Sequence, residues 1–223
     1  MARTKKQPEV LSETVSVETI NNDNKIVIGI DQSYKDTGIS ISYNCELKAA
    51  THCYTERLAN NTEKRKAIKN KLIQVFDKVK LLKSKYNCSV QIIIERIRLQ
   101  SQGFLNIDYI KSIGALNALI VDTAFDYSFP VFSVDTRAWK SAVVGTSKPR
   151  PNPYNINENK WPTIVWCVEY GFEKYIVDYN VGKRVKSVIH RKGESFIYND
   201  NIADSICISL YGFTKDTKLQ LEH

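Results

Sequence analysis

The sequence predicts a single mixed α/β domain. Two runs, Ile26-Val-Ile-Gly-Ile-Asp31 and Ile92-Ile-Ile-Glu95, are continuously apolar and rich in β-branched residues, as strands covered on both faces are. Around them lie segments whose apolar residues recur at helical spacing, so the chain reads as three strands, helix, strand, helix, strand, helix. Hydrophobic content of 43% in 223 residues is enough for one sizeable core.

Residues 1–24 mix Arg3, Lys5 and Lys6 with Glu9, Glu13 and Glu18, lack an apolar period and end in Asn21-Asn-Asp-Asn24, which reads as a flexible N-terminal arm. Residues 25–33 form the first strand. Gln32-Ser-Tyr-Lys-Asp36 supplies turn chemistry before the alternating strand 37–43, and residues 47–56 form a third. Between Asn61 and Tyr86, Ile68, Leu72, Val75, Phe76, Val79 and Leu82 keep a helical period while lysines crowd the other positions. A solvated face explains those lysines, so this helix is expected to be scaffold.

Residues 90–95 return to a buried strand, and 105–126 read as a helix whose Gly114, Ala115 and Ala118 leave a smooth surface for close approach of another helix. Residues 129–134 form a further strand, followed by a short helix carrying Arg137, Trp139 and Lys140. Three prolines and no period mark 146–159 as a loop, and Lys160-Trp-Pro opens a helix through Glu169. The segment 175–198 reads as a basic hairpin or flap, and the last helix spans 200–211. The domain therefore runs from 25 to 213, with a tail from 214 to 223. Its last residues, Leu221-Glu222-His223, read as an affinity-tag junction, leaving an effective end near Gln220.

A formal net charge of +8 and a pI near 9.1 favour an acidic partner, most simply a nucleic-acid backbone. Lysine-rich surfaces that merely keep a protein soluble are the alternative. Five cysteines without a C-x-x-C pair suit reduced core thiols and a cytoplasmic location, in a bacterial cell or a phage-infected host. No apolar run approaches the roughly 20 residues of a membrane span, and the N-terminus lacks a signal peptide's hydrophobic segment.

Three acids stand where charge is costly: Asp31 and Glu95 close the two buried strands, and Asp204 lies in Asn201-Ile-Ala-Asp-Ser205 of the last helix. A desolvated carboxylate must be paired, protonated or coordinated to metal. Each acid has a bland explanation: Asp31 as a turn cap, Glu95 as a partner of Arg96 or Arg98, Asp204 as a complement to the helix dipole. Their joint occurrence on a basic chain points instead to a site. Phosphodiester cleavage by two divalent ions about 3.5–4 Å apart needs several carboxylates converging from separate elements.

Five segments in order carry a family resemblance. Ile28-Gly-Ile-Asp31 with Thr37-Gly38, Ile94-Glu95 with its polar loop, Lys111-Ser-Ile-Gly-Ala-Leu-Asn-Ala-Leu-Ile120, Arg137-Ala-Trp-Lys140-Ser-Ala-Val-Val-Gly145 and Ala203-Asp204-Ser205 resemble RuvC-type Holliday junction resolvases of the RNase H-like fold. The resemblance runs from about residue 26 to about residue 213. It implies a five-stranded mixed sheet flanked by helices, with the Pro-rich loop and the basic hairpin or flap as insertions. It also implies a Mg²⁺-dependent endonuclease, with Mn²⁺ as a substitute and two ions per active site, acting on four-way junctions. Asp31, Glu95 and Asp204 would hold the ions. Lys140 would lie near the scissile phosphate, and Lys160 resembles a second active-site lysine.

The family presents a further acid three residues before its last one, but here that position is Asn201 and the nearer acid is Asp200. Positions three and four before Asp204 flank one helical face, so either side chain can complete the set, and the charged Asp200 is favoured. After Glu95, Arg98 and Phe104 stand where relatives insert a wedge into the junction; Phe104 either stacks on a base or packs the helix start. Arg137, Lys148, Arg150, Lys183, Arg184, Lys186, Arg191 and Lys192 are candidate phosphate contacts, with a solvated flap as the alternative for the last five. A homodimer through helix 105–126 would match the two-fold symmetry of a junction. The Asn-, Lys- and Ile-rich composition points weakly to an AT-rich genome such as a phage's.

Other readings compete. An RNase H-like nuclease or transposase-type enzyme on another substrate shares the carboxylates. A non-catalytic basic module would bind DNA but would not need three acids at element ends. An actin-like ATPase or sugar kinase also opens on Gly-Ile-Asp followed by Thr and Gly, yet requires a glycine-rich phosphate turn that Gln32-Ser-Tyr-Lys-Asp36 lacks.

Overall fold

The computed structural model describes residues 24–97, 107–145, 161–177, 188–191, 194–214 and 217–222. Three strands open the domain: β1 (Lys25–Asp31), β2 (Asp36–Tyr43) and β3 (Glu46–Tyr54). Helix α1 (Asn61–Tyr86) leads to β4 (Ser89–Glu95), and α2 (Ile107–Phe125) leads to β5 (Val131–Val134). A short helix α3 (Thr136–Trp139) runs into a π-helical turn, Lys140–Val144. Helices α4 (Trp161–Glu169) and α5 (Glu173–Ile176), the hairpin β6 (Val188–Arg191) and β7 (Glu194–Ile197), helix α6 (Asp200–Tyr211) and strand β8 (Gln220–Leu221) complete the order.

The main sheet has the order β3-β2-β1-β4-β5-β8. Strands β1, β4 and β5 run parallel, as helix crossovers require, whereas β2 and β3 return as an antiparallel meander. This strand order and these directions are those expected of the mixed sheet that the sequence resemblance implies.

Alternation along the central strands divides the core. Ile26, Ile28 and Ile30 of β1, with Ile92 and Ile94 of β4, pack with Ile68, Leu72 and Phe76 of α1 and Leu116 and Ile120 of α2. Val27 and Ile93 point to the other face, where α4, α6 and Trp139 cover them. Helix α1 thus buries the expected stripe. Its Asn60 cap accepts from the Glu63 amide, and the left-handed Asn87 ends it. Several of its lysines lie across aromatic rings, Lys80 at 5.9 Å from Tyr127 and Lys83 at 5.6 Å from Phe129. All five cysteines are free thiols. No helix among the described residues is long and apolar enough to cross a membrane.

One expectation is corrected. The sheet has six strands rather than five, because the tail adds one: Gln220 and Leu221 pair with Ser133 and Phe132, and the Glu222 amide donates to the Val131 carbonyl at 2.9 Å. The open edge of β5 takes a backbone partner through N–H and C=O groups that every residue carries, so side chains give no sign of it. Of the hairpin expected within 175–198, the described residues show β6 paired antiparallel with β7 and a bridge between Val177 and Tyr198, with α5 ending at Ile176 just before it.

Candidate active site

Strand alternation and register place the first two acids. Asp31 lies two residues beyond Gly29 and four beyond Val27, so it faces α6, and Glu95, two beyond Ile93, faces the same way. Ile30 of β1 pairs with Ile94 of β4, and one further step sets Asp31 beside Glu95. Gln32 continues this alignment past the end of β1. Its side-chain amide donates to the Glu95 carbonyl, and its Oε1 accepts from the Glu95 N–H at 3.1 Å. One buried glutamine thereby replaces a ladder partner and fixes the backbone that carries the carboxylate.

Helix α6 brings the other acids because glycine lets it lie on the sheet. A Cβ built on Gly29 would stand 2.2 Å from the Ser205 carbonyl oxygen, and one on Gly38 would stand 2.0 Å from that of Asn201. Gly38 is itself the pairing partner of Asp31, so the start of α6 rests beside the end of β1. Serine hydroxyls join helix to strand. Ser40 donates to the Ser205 carbonyl at 2.7 Å, and the Ser42 and Ser209 hydroxyls meet at 2.8 Å.

Asp204 sits in this contact, and its Oδ1 is buried without a hydrogen-bond partner. Burial is the main cause that pushes its pKa up to about 7; Lys140 and a hydrogen bond from Thr163 oppose the shift, while Glu95 and Asp200 add to it. Glu95, Asp200, Lys140 and Thr163 are therefore all within electrostatic reach of one carboxyl group. Asp200, in the first turn of α6, is 6% exposed, and its charge bears on Asp204.

Gln32, Trp139 and Thr163 went unassigned from sequence. Trp139, fully buried, donates from Nε1 to Glu95 Oε1 at 2.9 Å and orients that carboxylate. The Lys140 ammonium lies 5.1 Å from the Trp139 ring centre, so one short helix supplies both the clamp on Glu95 and a nearby positive charge. Thr163, fully buried in α4, donates a hydrogen bond to the Asp204 carboxylate. Their residue types carry no signal of their own; the position of Trp139 beside Lys140 in the quoted motif was the only pointer. Replacing Trp139 by Phe is expected to keep the ring packing, slow metal-dependent nicking about tenfold and leave junction binding intact. Rates on a labelled four-way junction, with binding measured in EDTA, check this; an unchanged rate removes Trp139 from the site.

The donors suit a hard divalent cation. Asp31, Glu95, Asp200 and Asp204 offer only carboxylate oxygens, the ligands of Mg²⁺, Mn²⁺ and Ca²⁺ rather than of zinc. Among the described residues no three acid, histidine or cysteine side chains close into a preformed ligand cage. The orphaned Oδ1 of Asp204 is the specific mark of fit, an acceptor the protein itself leaves uncompensated.

Of the remaining expected contacts, Arg137 is exposed on α3, with its amide donating to the Asp135 carboxylate at 2.9 Å. Arg191 closes β6, paired with Glu194. Lys160, Arg98, Phe104, Lys148, Arg150, Lys183, Arg184, Lys186 and Lys192 lie outside the described residues, as does the arm 1–23.

No protein-family model matches the chain, and no curated protein matches it. Among solved structures it is similar to RuvC of Thermus thermophilus, at 15% identity and a TM-score of 0.47 over 84% of this chain and 93% of that one. A structure of T. thermophilus RuvC in complex with a Holliday junction substrate is similar at 14% identity and 0.48, over 88% and 99%. The yeast mitochondrial Holliday junction resolvase is similar at 17% identity and 0.43, over 82% and 75%. Likeness at this level assigns no role to any residue; the geometry of the chain itself carries each one.

Proposed function

We propose that this chain is a metal-dependent, structure-selective DNA endonuclease that resolves four-way junctions by paired nicks. The observation that carries the reading is the buried Oδ1 of Asp204, which has no hydrogen-bond partner and is within electrostatic reach of Glu95, Asp200 and Lys140. Thr163 and Lys140 compensate the carboxylate only in part and leave Oδ1 without a donor. An oxygen left open in this way would suit a cation ligand on a basic protein.

Asp31, Glu95, Asp200 and Asp204 would hold Mg²⁺ or Mn²⁺. Bound there, such ions supply the electrophilic stabilisation and water activation that phosphodiester hydrolysis needs, yielding 5′-phosphate and 3′-hydroxyl ends. The protein's own part is placement. Gln32 and Trp139 hold the Glu95 backbone and carboxylate, and the packing of α6 on Gly29 and Gly38 sets Asp204 against the strand ends. Lys140 offsets negative charge gathering on the phosphate, and Lys160 is proposed to assist it. Arg98, Phe104, Arg137 and the lysines and arginines of 146–159 and 183–192 are proposed as contacts to the junction centre and arms.

A four-way junction has two strands to cut, so two sites are needed. Ile107, at 61% exposure, and Phe125, at 82%, lie on one side of α2 together with the exposed Ala118 and with Gly114, where an added Cβ would meet nothing within 4 Å. This apolar, low-relief stripe supports a homodimer through α2.

The test is cleavage of a synthetic four-way junction beside a linear duplex of the same sequence, with Mg²⁺ or Mn²⁺. Symmetric nicks in the junction are expected from the wild type. Asp31→Asn is expected to lose at least about a thousandfold in rate while still binding the junction. Equal cutting by the Asn variant, or no preference for the branched substrate, sinks the proposal.

A further inference from the structure

Beside the acids lies a polar cluster to which nothing above gives a role. Asp36, at the start of β2, faces His52 of β3, whose Nδ1 is 2.6 Å from Asp36 Oδ1. The other oxygen, Oδ2, accepts from the Asn199 amide nitrogen at 2.6 Å. Asn199 is 4% exposed and caps α6, its Oδ1 accepting from the Ile202 N–H at 2.9 Å. Asn199 Nδ2 also lies 3.2 Å from His52 Nδ1. That nitrogen cannot both donate to Asp36 and accept from Asn199. A carboxylate that only accepts, with a donor on each oxygen, resolves the cluster: His52 Nδ1–H donates to Oδ1 and Asn199 Nδ2–H to Oδ2.

The consequence is directional. With its nitrogen committed to Asp36, the Asn199 amide must turn its oxygen toward the first turn of α6. Its backbone is tied as well, since its N–H donates to the Ile176 carbonyl at 2.8 Å and its carbonyl accepts from Ala203 at 3.1 Å. The next residue is Asp200, and Asp204 follows one turn later. An ordinary surface cap would fray on one side; this one is anchored to two strands of the sheet that carries Asp31.

We infer that Asp36, His52 and Asn199 are positioning residues, a carboxylate-centred clamp that fixes the start of α6 so that Asp200 and Asp204 meet the cation in register with Asp31 and Glu95. This rests on the metal-site reading above. It assigns no contact with DNA to the three residues.

The test exchanges the two interacting groups. In Asn199→Asp, two carboxylates face each other and the clamp opens, although the new charge lies closer to the cation site. In the double variant Asp36→Asn with Asn199→Asp, every hydrogen bond can re-form with the roles reversed, and the net charge equals that of the wild type. Mn²⁺ binding to the DNA-free protein is measured by titration calorimetry, with melting temperature and junction nicking alongside. Asn199→Asp is expected to weaken Mn²⁺ binding and slow nicking about tenfold, and the double variant to return within about threefold of the wild type.

Tighter Mn²⁺ binding by Asn199→Asp, as an added charge alone would produce, overturns the clamp; so does a double variant as weak as the single one. If Asn199→Asp does not fold, His52→Phe removes one donor to Asp36 and keeps a ring in its place, and unchanged Mn²⁺ affinity in that variant overturns the clamp as well. A wild type that binds Mn²⁺ but nicks no junction sinks the nuclease reading alone, and the affinities still decide the clamp. A wild type that binds no Mn²⁺ sinks both.

Discussion

Asp204→Asn is expected to abolish nicking and, at pH 8 without metal, to make the protein more stable. The carboxyl has a pKa raised from 3.8 to about 7, chiefly by burial, so its folded-state value lies above its unfolded value. The sign follows directly. Below about pH 4 both states are protonated and the group costs nothing. As pH rises from about 4 to about 7 the unfolded chain ionises first, so the fold loses stability. Above pH 7 the cost is constant, and three pKa units correspond to roughly 4 kcal/mol at the limit. Asparagine keeps the shape and an acceptor for Thr163 but carries no charge. Even half of that cost, relieved at pH 8, raises the melting temperature by about 5 °C in a chain of this size. Calorimetry at pH 8 and at pH 3 checks this, since the difference between wild type and variant should vanish at the lower pH.

Divalent cation should reverse the order. Metal binding stabilises the folded state only where ligands exist, so millimolar Mg²⁺ raises the wild-type melting temperature and leaves Asp204→Asn nearly unmoved. Equal melting temperatures at pH 8 would mean that Asp204 is solvated, and the reading of it as an uncompensated ligand would fall. A variant that still nicks would remove it from the chemistry altogether.

How much of this was legible in the sequence depends on the range of the interaction. Asp31 and Glu95 were readable because a buried parallel strand declares itself as an apolar run, and an acid at its end is anomalous on local grounds. The helices α1, α2 and α6 were readable from their periods. Gln32 was not: its value lies in meeting the Glu95 backbone 63 residues away, and a glutamine in a turn looks like any other. Asn199 is a recognisable cap, but its partner Asp36 is 163 residues distant. Strand β8 was not foreseen for a different reason, since its pairing uses backbone groups alone. The π-helical turn after Trp139 left no trace either, for its Lys-Ser-Ala-Val-Val sequence suits an α-helix equally well.

Gly29→Ala and Gly38→Ala are expected to be the most damaging small substitutions outside the acids themselves. Each adds one methyl group, and ordinary overpacking of that size costs about 1–3 kcal/mol when side chains can move aside. Here the obstacle is backbone. The methyl at Gly29 would lie 2.2 Å from the Ser205 oxygen and 2.5 Å from the Ser209 nitrogen, and the methyl at Gly38 would lie 2.0 Å from the Asn201 oxygen. No rotamer change relieves such contacts, so α6 must lift from the sheet as a body. Lifting it breaks the Ser40 and Ser42 hydrogen bonds and exposes Ile206 and Ile208, so the cost exceeds about 3 kcal/mol. The same movement carries Asp200 and Asp204 away from Asp31. Whatever folded protein survives should therefore nick far more slowly than its stability alone explains, most of all for Gly38→Ala at the active end. Gly114→Ala is the control: its Cβ meets nothing within 4 Å, and alanine in a helix favours the fold by up to about 1 kcal/mol. Urea unfolding of the three variants separates the cases, with midpoints falling sharply for Gly29→Ala and Gly38→Ala and holding or rising for Gly114→Ala. A Gly29→Ala protein with the wild-type midpoint would mean that α6 does not lie on β1, and the placement of Asp204 beside the strand acids would fall with it.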